Sequence, residues 1–300
     1  MATRDIALEY KKNIGVNIGS SRGSTQNWEH HYETFLKTGR AKPLASPTTT
    51  LGNISSWVAQ DLGTNGINFS HSITCSSGMH ALLNGIAWIN AKMSENFLVG
   101  ASEACLTPFT FAQMKALKLY TDNNDLFPCK PLDENKTKNT LTLGDSSIAL
   151  VLSNKDKSSI ARIIGIGYAT EKLEHHVSLS SNAKCFQESM KMALTSYDSS
   201  SVDAIILHAP GTVAGDKAEI NAIHSVFKDV PLLTSNKWKI GHTFGASGLM
   251  SLEMAIYMIT TNNFIEIPYK QNKKSFKKLN RILINAVGFG GNAVSILIEK

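Results

Sequence analysis

The sequence predicts an α/β protein with a mainly parallel sheet covered by helices on both faces. Three observations carry this prediction. Short β-branched or apolar runs alternate along the chain with stretches of helical period, the pattern of repeated β–α–β units. One run, Ala204–His208, is apolar up to its last residue, which suits a strand buried on both faces. Strand–turn pairs near Ile148–Ala169 and at the C-terminus point to antiparallel edges.

Taken in order, Ile14–Ile18 reads as the first strand, and Thr49–Leu62 as a helix carrying Leu51, Ile54, Trp57 and Val58. Ile67–Ile73 is a strand leading to Cys75. Met79, Leu82, Leu83, Ile86 and Ile89 then recur at helical spacing, and this helix ends before the strand Asn96–Gly100. Ile148–Leu152 and Ala161–Ala169 read as adjacent strands. A helix over Cys185–Tyr197 precedes the strand Ala204–His208, and Lys217–Phe227 is the next helix. A glycine-rich turn leads into the helix Ser247–Thr260, and two strands, Arg281–Val287 and Ala293–Ile298, close the chain. The lysine- and asparagine-rich stretch Asp133–Thr142 reads as a surface loop, as does Ser153–Ser159. The latter is the expected division, with one half over 1–153 and another over 154–300.

A chain of 300 residues suffices for one large domain or two fused halves. With 42% hydrophobic and 18% charged residues, the disordered and fibrous classes are excluded. No apolar run approaches the roughly 20 residues of a membrane helix. The start, Met-Ala-Thr-Arg-Asp-Ile, has no apolar signal core, so a cytoplasmic protein without a membrane partner is expected. The four cysteines (Cys75, Cys105, Cys129, Cys185) lack paired spacing, and the nine histidines form no ligand pattern, so no metal is expected. Much of the net charge of +6 lies in Lys270, Lys273, Lys274, Lys277, Lys278 and Arg281. This cluster suits a solvated loop or a dock for an acidic partner. It lacks the aromatic ladder of a nucleic-acid stacking platform, so nucleic acid is not an expected partner.

Cys75 sits in Thr74-Cys75-Ser76-Ser77-Gly78, directly before an amphipathic helix. The positive end of the helix dipole and the free N–H groups there favour the thiolate, the nucleophilic form. Alone this is weak, because a free cysteine is more often a small buried hydrophobe. Its weight comes from three further motifs. The strand Ala204–Leu207 ends in His208-Ala209-Pro210-Gly211-Thr212, with Asp216 and Glu219 following. A second segment runs from Ser235-Asn236-Lys237 to Gly241-His242, then Gly245-Ala246-Ser247-Gly248. The last is Gly288-Phe289-Gly290-Gly291-Asn292. Each puts a reactive group at a strand end or glycine-rich turn, where open α/β sheets bind ligands. Taken singly, a strand-end histidine is more often structural, Lys237 a surface lysine and Gly-Phe-Gly-Gly a tight turn. Their order and separations together are much harder to dismiss.

This constellation resembles the β-ketoacyl-[acyl carrier protein] synthases, elongating condensing enzymes of the thiolase superfamily. The resemblance runs from about Ile14 to the C-terminus and includes Val99-Gly100-Ala101-Ser102-Glu103-Ala104 and Leu143-Gly144-Asp145. It implies a thiolase-like fold of duplicated α-β-α-β-α layers, with the first strand region of the N-terminal half missing. It implies that Cys75 takes the acyl group from a phosphopantetheine thioester, that His208 and His242 are the catalytic histidines, and that Lys237 orders their network. The N–H groups of Cys75 and Phe289 are the implied oxyanion hole, and Phe289 is also the implied gate of the acyl pocket. Thr212 matches a pantetheine-binding threonine, whereas Pro210 stands where a second hydroxyl is expected. Asp216 and Glu219 complete the supporting network, with Glu219 the proposed partner of Lys237.

The chemistry accounts for these residue types. The Cys75 thiolate attacks the acyl thioester through a tetrahedral oxyanion that needs two donors. Malonyl thioester then loses carbon dioxide, and two neutral imidazoles can stabilise the enolate by donating N–H bonds. The carbanion attacks the acyl-cysteine carbonyl. A histidine at 242 separates the chain from initiating enzymes, which pair cysteine with histidine and asparagine. The absence of a cysteine after Cys185 separates it from degradative thiolases.

The chain also departs from the family pattern. Ser251 stands where a glutamate is expected, with Glu253 two residues on, and Lys138-Asn139-Thr140 replaces an acidic-glycine loop. The resemblance implies an acyltransferase of fatty-acid or polyene/polyketide type that binds no resident cofactor, the phosphopantetheine arriving on an acyl carrier protein. It implies a dimer, with itself or with a related synthase subunit, paired through Ile67–Ile73. A non-catalytic partner subunit resembling chain-length factors is the alternative, and the retained Cys75 argues against it. A cysteine hydrolase needs no second histidine.

Overall fold

The computed structural model describes residues 12–155, 159–173, 179–270 and 278–300. Lys273, Lys274 and Lys277 of the basic cluster lie outside these. Two compact units form, and neither is one continuous stretch. The first takes the described residues of 1–111, 145–157 and 243–246, and the second those of 112–144, 158–242 and 247–300.

In the first unit, the run Gly15–Gly19 (β1) is buried along its whole length. It pairs in parallel with Asn68–His71 (β2) on one side and Asn96–Glu103 (β3) on the other. Ser146–Ser153 (β4) adds an antiparallel edge to β3, so the sheet order is β2-β1-β3-β4. Ile14, Val16, Ile18, Ala59 and Leu98 form one core of this unit.

The second unit repeats this plan. Ala204–Ile206 (β6) pairs in parallel with Leu232–Thr234 (β7) and Arg281–Gly288 (β8), and Asn292–Glu299 (β9) follows antiparallel to β8. One strand more, Arg162–Thr170 (β5), lies antiparallel on β9, giving the order β5-β9-β8-β6-β7. No strand among the described residues holds the matching place beyond β4 in the first sheet. The core of this unit includes Phe186, Met190, Ile205, Leu207, Phe227 and Leu283.

Most expected elements are present, with three corrections. β4 and β5 are each an antiparallel edge, as expected of edges, but of different sheets, so they are not neighbours. The helix expected over Thr49–Leu62 is two helices, Ala45–Thr49 and Asn53–Leu62, because Thr50 turns extended. The hydroxyls of Thr48, Thr49 and Thr50 bond back to carbonyls of the preceding turn and compete with helix continuation. The helices Thr25–Thr38 and Pro108–Ala116 are not among the expected elements, although the first carries an apolar stripe at helical spacing. That stripe, Trp28, Tyr32, Phe35 and Leu36, is 49–66% exposed.

Candidate functional site

Cys75 lies in the first unit, where β2 gives way to the helix Ser77–Asn90. That helix buries Met79, Ala81, Leu82, Gly85 and Ile89, and Ser76 occupies its N-cap position. The turn before it is tightly tied. The Ser77 hydroxyl donates to the Thr74 carbonyl at 2.6 Å and accepts from the Ile73 N–H at 2.8 Å. The Ser76 hydroxyl donates to the Ile73 carbonyl at 2.9 Å. Thr74 is driven to φ +46°, a left-handed conformation that a β-branched residue adopts only under strain. The strain is stored one residue before Cys75, which is 5% exposed. Gly19, at the end of β1, lies so close that a Cβ there would meet the Ser77 carbonyl carbon at 2.7 Å. The other three thiols are held protonated by burial: Cys105 and Cys185 are pushed up to about 12 and Cys129 is raised.

Glu103, at the end of β3, is buried and accepts from Gly245 N at 3.0 Å, Ser20 Oγ at 3.3 Å and the Ser21 N–H. Asp145 accepts from Cys105 N at 2.8 Å. These two carboxylates explain motifs that the resemblance carried without a role.

The second unit holds His208, His242, Lys237, Asp216, Glu219, Thr212 and Phe289. The two imidazoles meet edge-to-face, with centroids 5.2 Å apart and planes at 87°. Both are nearly sealed from solvent. Burial is the first cause that holds His208 well below its usual range, followed by the charges of His242 and Lys237. Burial, then Lys237, brings His242 down to about 3. At neutral pH the pair is therefore uncharged, and each ring carries one N–H donor.

The backbone beneath each histidine is fixed differently. His208 follows β6, and its N–H and that of Ala209 donate to the two carboxylate oxygens of Glu219, at 3.0 and 2.8 Å. Asn285 donates to the same carboxylate at 3.2 Å, and Ser295, its register partner on β9, donates to Asn285 at 2.8 Å. Burial pushes Glu219 up to about 7, opposed by these donors. The carboxylate paired in expectation with Lys237 is thus occupied by two backbone donors and an amide. Lys237, 1% exposed, donates to Asn236 Oδ1 at 3.1 Å.

His242 follows the short helix Lys237–Ile240 and exchanges backbone bonds with Thr142 (2.8 Å) and Gly144 (3.1 Å). Gly241 makes this approach possible. Its φ is +70°, and a Cβ there would stand 2.8 Å from the Leu143 carbonyl oxygen. The motif Leu143-Gly144 is therefore the segment bridged to His242. Asp133–Thr142, expected at the surface, is pinned through Thr140, which is 9% exposed and bonds Gly211.

Thr212 is the N-cap residue of the helix Val213–Val226, and Asp216 lies buried in its first turn. Phe289 opens the tight turn between β8 and β9, where Gly290 and Gly291 take positive φ. Ser251 is buried in the helix Ser247–Thr261 and bonds the Ser247 carbonyl, while Glu253 is exposed. Among the described residues no cluster of His, Cys, Asp or Glu could hold a metal, and no helix is long and apolar enough to cross a membrane. Lys270 and Arg281 of the basic cluster pair with Glu134 and Glu299, at 3.1 and 3.2 Å.

Comparison with known proteins identifies the family. Residues 3–158 match the family model for the N-terminal domain of β-ketoacyl synthases, and residues 160–267 that for the C-terminal domain. A protein named putative mitochondrial 3-oxoacyl-[acyl-carrier-protein] synthase, from Schizosaccharomyces pombe, is 26% identical over 99% of this chain and 76% of its own length. Among solved structures, a type II polyketide acyl carrier protein in complex with its ketosynthase superposes with a TM-score of 0.87, at 19% identity, covering 99% of this chain and 80% of that one. A ketosynthase in complex with its chain length factor, from Xenorhabdus doucetiae, gives 0.82 at 21% identity, over 96% and 75%. These two likenesses establish the fold.

Proposed function

Because the chain belongs to the β-ketoacyl synthase family, we propose that it condenses malonyl-[acyl carrier protein] with an acyl group held on Cys75. The single observation that carries this reading is the buried pair of neutral imidazoles, His208 and His242, beside the Lys237 charge. Two uncharged N–H donors in a dry site stabilise a developing enolate without protonating it. Burial first, and then the nearby Lys237, keeps both rings neutral, and Lys237 adds positive potential where negative charge grows.

In the first half-reaction the Cys75 thiolate attacks the acyl thioester, and the carrier's pantetheine thiol leaves with a proton. Backbone N–H groups of Cys75 and Phe289 receive the oxyanion. In the second, malonyl thioester loses carbon dioxide, and the enolate oxygen accepts from His208 and His242. The enolate carbon then attacks the acyl-Cys75 carbonyl, and the thiolate is expelled as the β-ketoacyl thioester forms. Phe289, flanked by glycines, gates the acyl pocket, and Thr212 bonds the pantetheine arm. Asp216 and Glu219 hold the His208 turn. The carrier protein and a second synthase subunit are the partners, and the pathway is of fatty-acid or polyketide type. Strand β2, which among the described residues is an edge paired only with β1, supports association through that edge.

Intact-protein mass spectrometry after incubation with an acyl-carrier thioester tests the reading. Acylation at Cys75 followed by malonyl-dependent condensation is expected. Acylation released by water alone would identify a hydrolase, and no acylation a non-catalytic partner subunit. Sedimentation at micromolar concentration tests assembly, and a stable active monomer would defeat it.

A further inference from the structure

The segment Cys129–Gly144 touches both histidine-bearing stretches of the second unit. Toward His208, Thr140 donates twice to the Gly211 carbonyl, from its N–H and its hydroxyl, each at 2.8 Å. Asn139 Oδ1 accepts from Val213 N at 2.9 Å, and the Cys129 thiol faces the Pro210 carbonyl at 3.7 Å. Toward His242, Thr142 and Gly144 exchange the backbone bonds described above. One loop therefore sets the register between the two histidine backbones.

What closes this loop is a buried ion pair. Lys136 Nζ lies 2.6 Å from Asp216 Oδ2, with the two side chains 6% and 2% exposed. The ammonium also donates to the carbonyls of Lys130 and Asp133, at 3.2 and 3.3 Å, which folds the loop back on itself. Asp216 in turn accepts from Leu132 N at 3.2 Å and Gly211 N at 3.1 Å, so one carboxylate ties the loop to the turn after His208. A buried pair of this kind gives little net stability against an apolar replacement, so its value lies in fixing geometry.

We propose that Lys136 is a positioning residue that clamps Cys129–Gly144 through Asp216 and holds His208 and His242 in register for decarboxylation. This rests on the decarboxylating role assigned to the two histidines. Misplacing donors by about 1 Å costs about 10²-fold in rate.

The test uses full-length Lys136→Met, Lys136→Arg and the double variant Lys136→Met/Asp216→Met. Replacing both charges leaves no unpaired buried ion, while the Leu132 and Gly211 N–H groups lose their acceptor, so the double variant is expected to melt cooperatively but below the wild-type temperature. It is expected to release carbon dioxide from malonyl thioester about 10²-fold more slowly, a larger loss than in the rate of Cys75 acylation. Lys136→Arg should restore the wild-type rate. Amide hydrogen exchange reads the clamp whatever the activity, and the Thr140 and His242 amides should exchange at least about tenfold faster in the double variant. A stably folded double variant with wild-type protection at those amides overturns the proposal, as does one with wild-type decarboxylation. If the wild-type protein releases no carbon dioxide while the amide result holds, the clamp stands and the assigned chemistry falls.

Discussion

In the first sheet, edge strand β2 runs into Thr74–Cys75 and then the helix Ser77–Asn90. In the second, edge strand β7 runs into Lys237–His242 and then the helix Ser247–Thr261. The same parallel β–α–β step thus carries a thiol in one unit and an ammonium with an imidazole in the other. The two are held by different means. Serine hydroxyls and a strained Thr74 fix the cysteine turn, whereas buried carboxylates fix the His208 turn and backbone bonds to Thr142 and Gly144 fix His242. A thiolate is favoured by the positive end of a helix dipole, so a helix start suffices. Paired imidazoles must stay neutral, which demands burial, and burial demands that every backbone group beneath them find a partner.

The comparison is broken most severely at Cys75. Cys75→Ala should abolish condensation and leave malonyl decarboxylation in place, because the change deletes one sulfur from a turn that other side chains hold. Elongation by this variant, followed by product mass, would remove Cys75 as nucleophile.

Next in size, His208→Ala or His242→Ala should slow decarboxylation by about 10²–10³ while Cys75 still accepts an acyl group. Losses under tenfold in both variants would dissolve the shared enolate site.

A smaller effect is expected in the scaffold. Gly241→Ala forces a side chain into a left-handed position against the Leu143 carbonyl, at a cost of about 1–3 kcal/mol. Denaturant titration reads this, and an unchanged midpoint would mean that the segment beneath His242 yields freely.

The gentlest probe is acid. The folded His242 is depressed from 6.5 to about 3, so its contribution to stability is present above 6.5 and lost as pH falls towards 3. His242→Gln should therefore flatten the acid limb of the stability curve by about 1.4 kcal/mol per pH unit within that window. Equal slopes for the two proteins would show that His242 charges in the folded state.

Much of this organisation was legible in the sequence, for physical reasons. Strands such as Ala204–Ile206 and Arg281–Gly288 are buried on both faces and, Arg281 and Asn285 apart, carry no polar side chain, so they read as continuous apolar runs. The reactive residues sit at strand ends, where short motifs preserve spacing. Partners distant in sequence left no such trace. Lys136 lies 80 residues from Asp216, and a lysine in a polar stretch reads as solvated. The bond between Asn285 and Glu219 spans 66 residues, and nothing local in β8 announces it. The separation of β4 from β5 was illegible too, because two edge strands in succession look like a hairpin until their registers are known. The helix Thr25–Thr38 carries Trp28, Tyr32, Phe35 and Leu36 at helical spacing, so its period was legible in the sequence.

The central claim is that two neutral buried histidines form a decarboxylation centre that works without the nucleophile. Carbon dioxide release from malonyl thioester by Cys75→Ala, set beside Cys75→Ala/His208→Ala, tests it most directly. The account predicts sustained release from the single variant and a fall of about 10²–10³ in the double. Equal release from both proteins would contradict it.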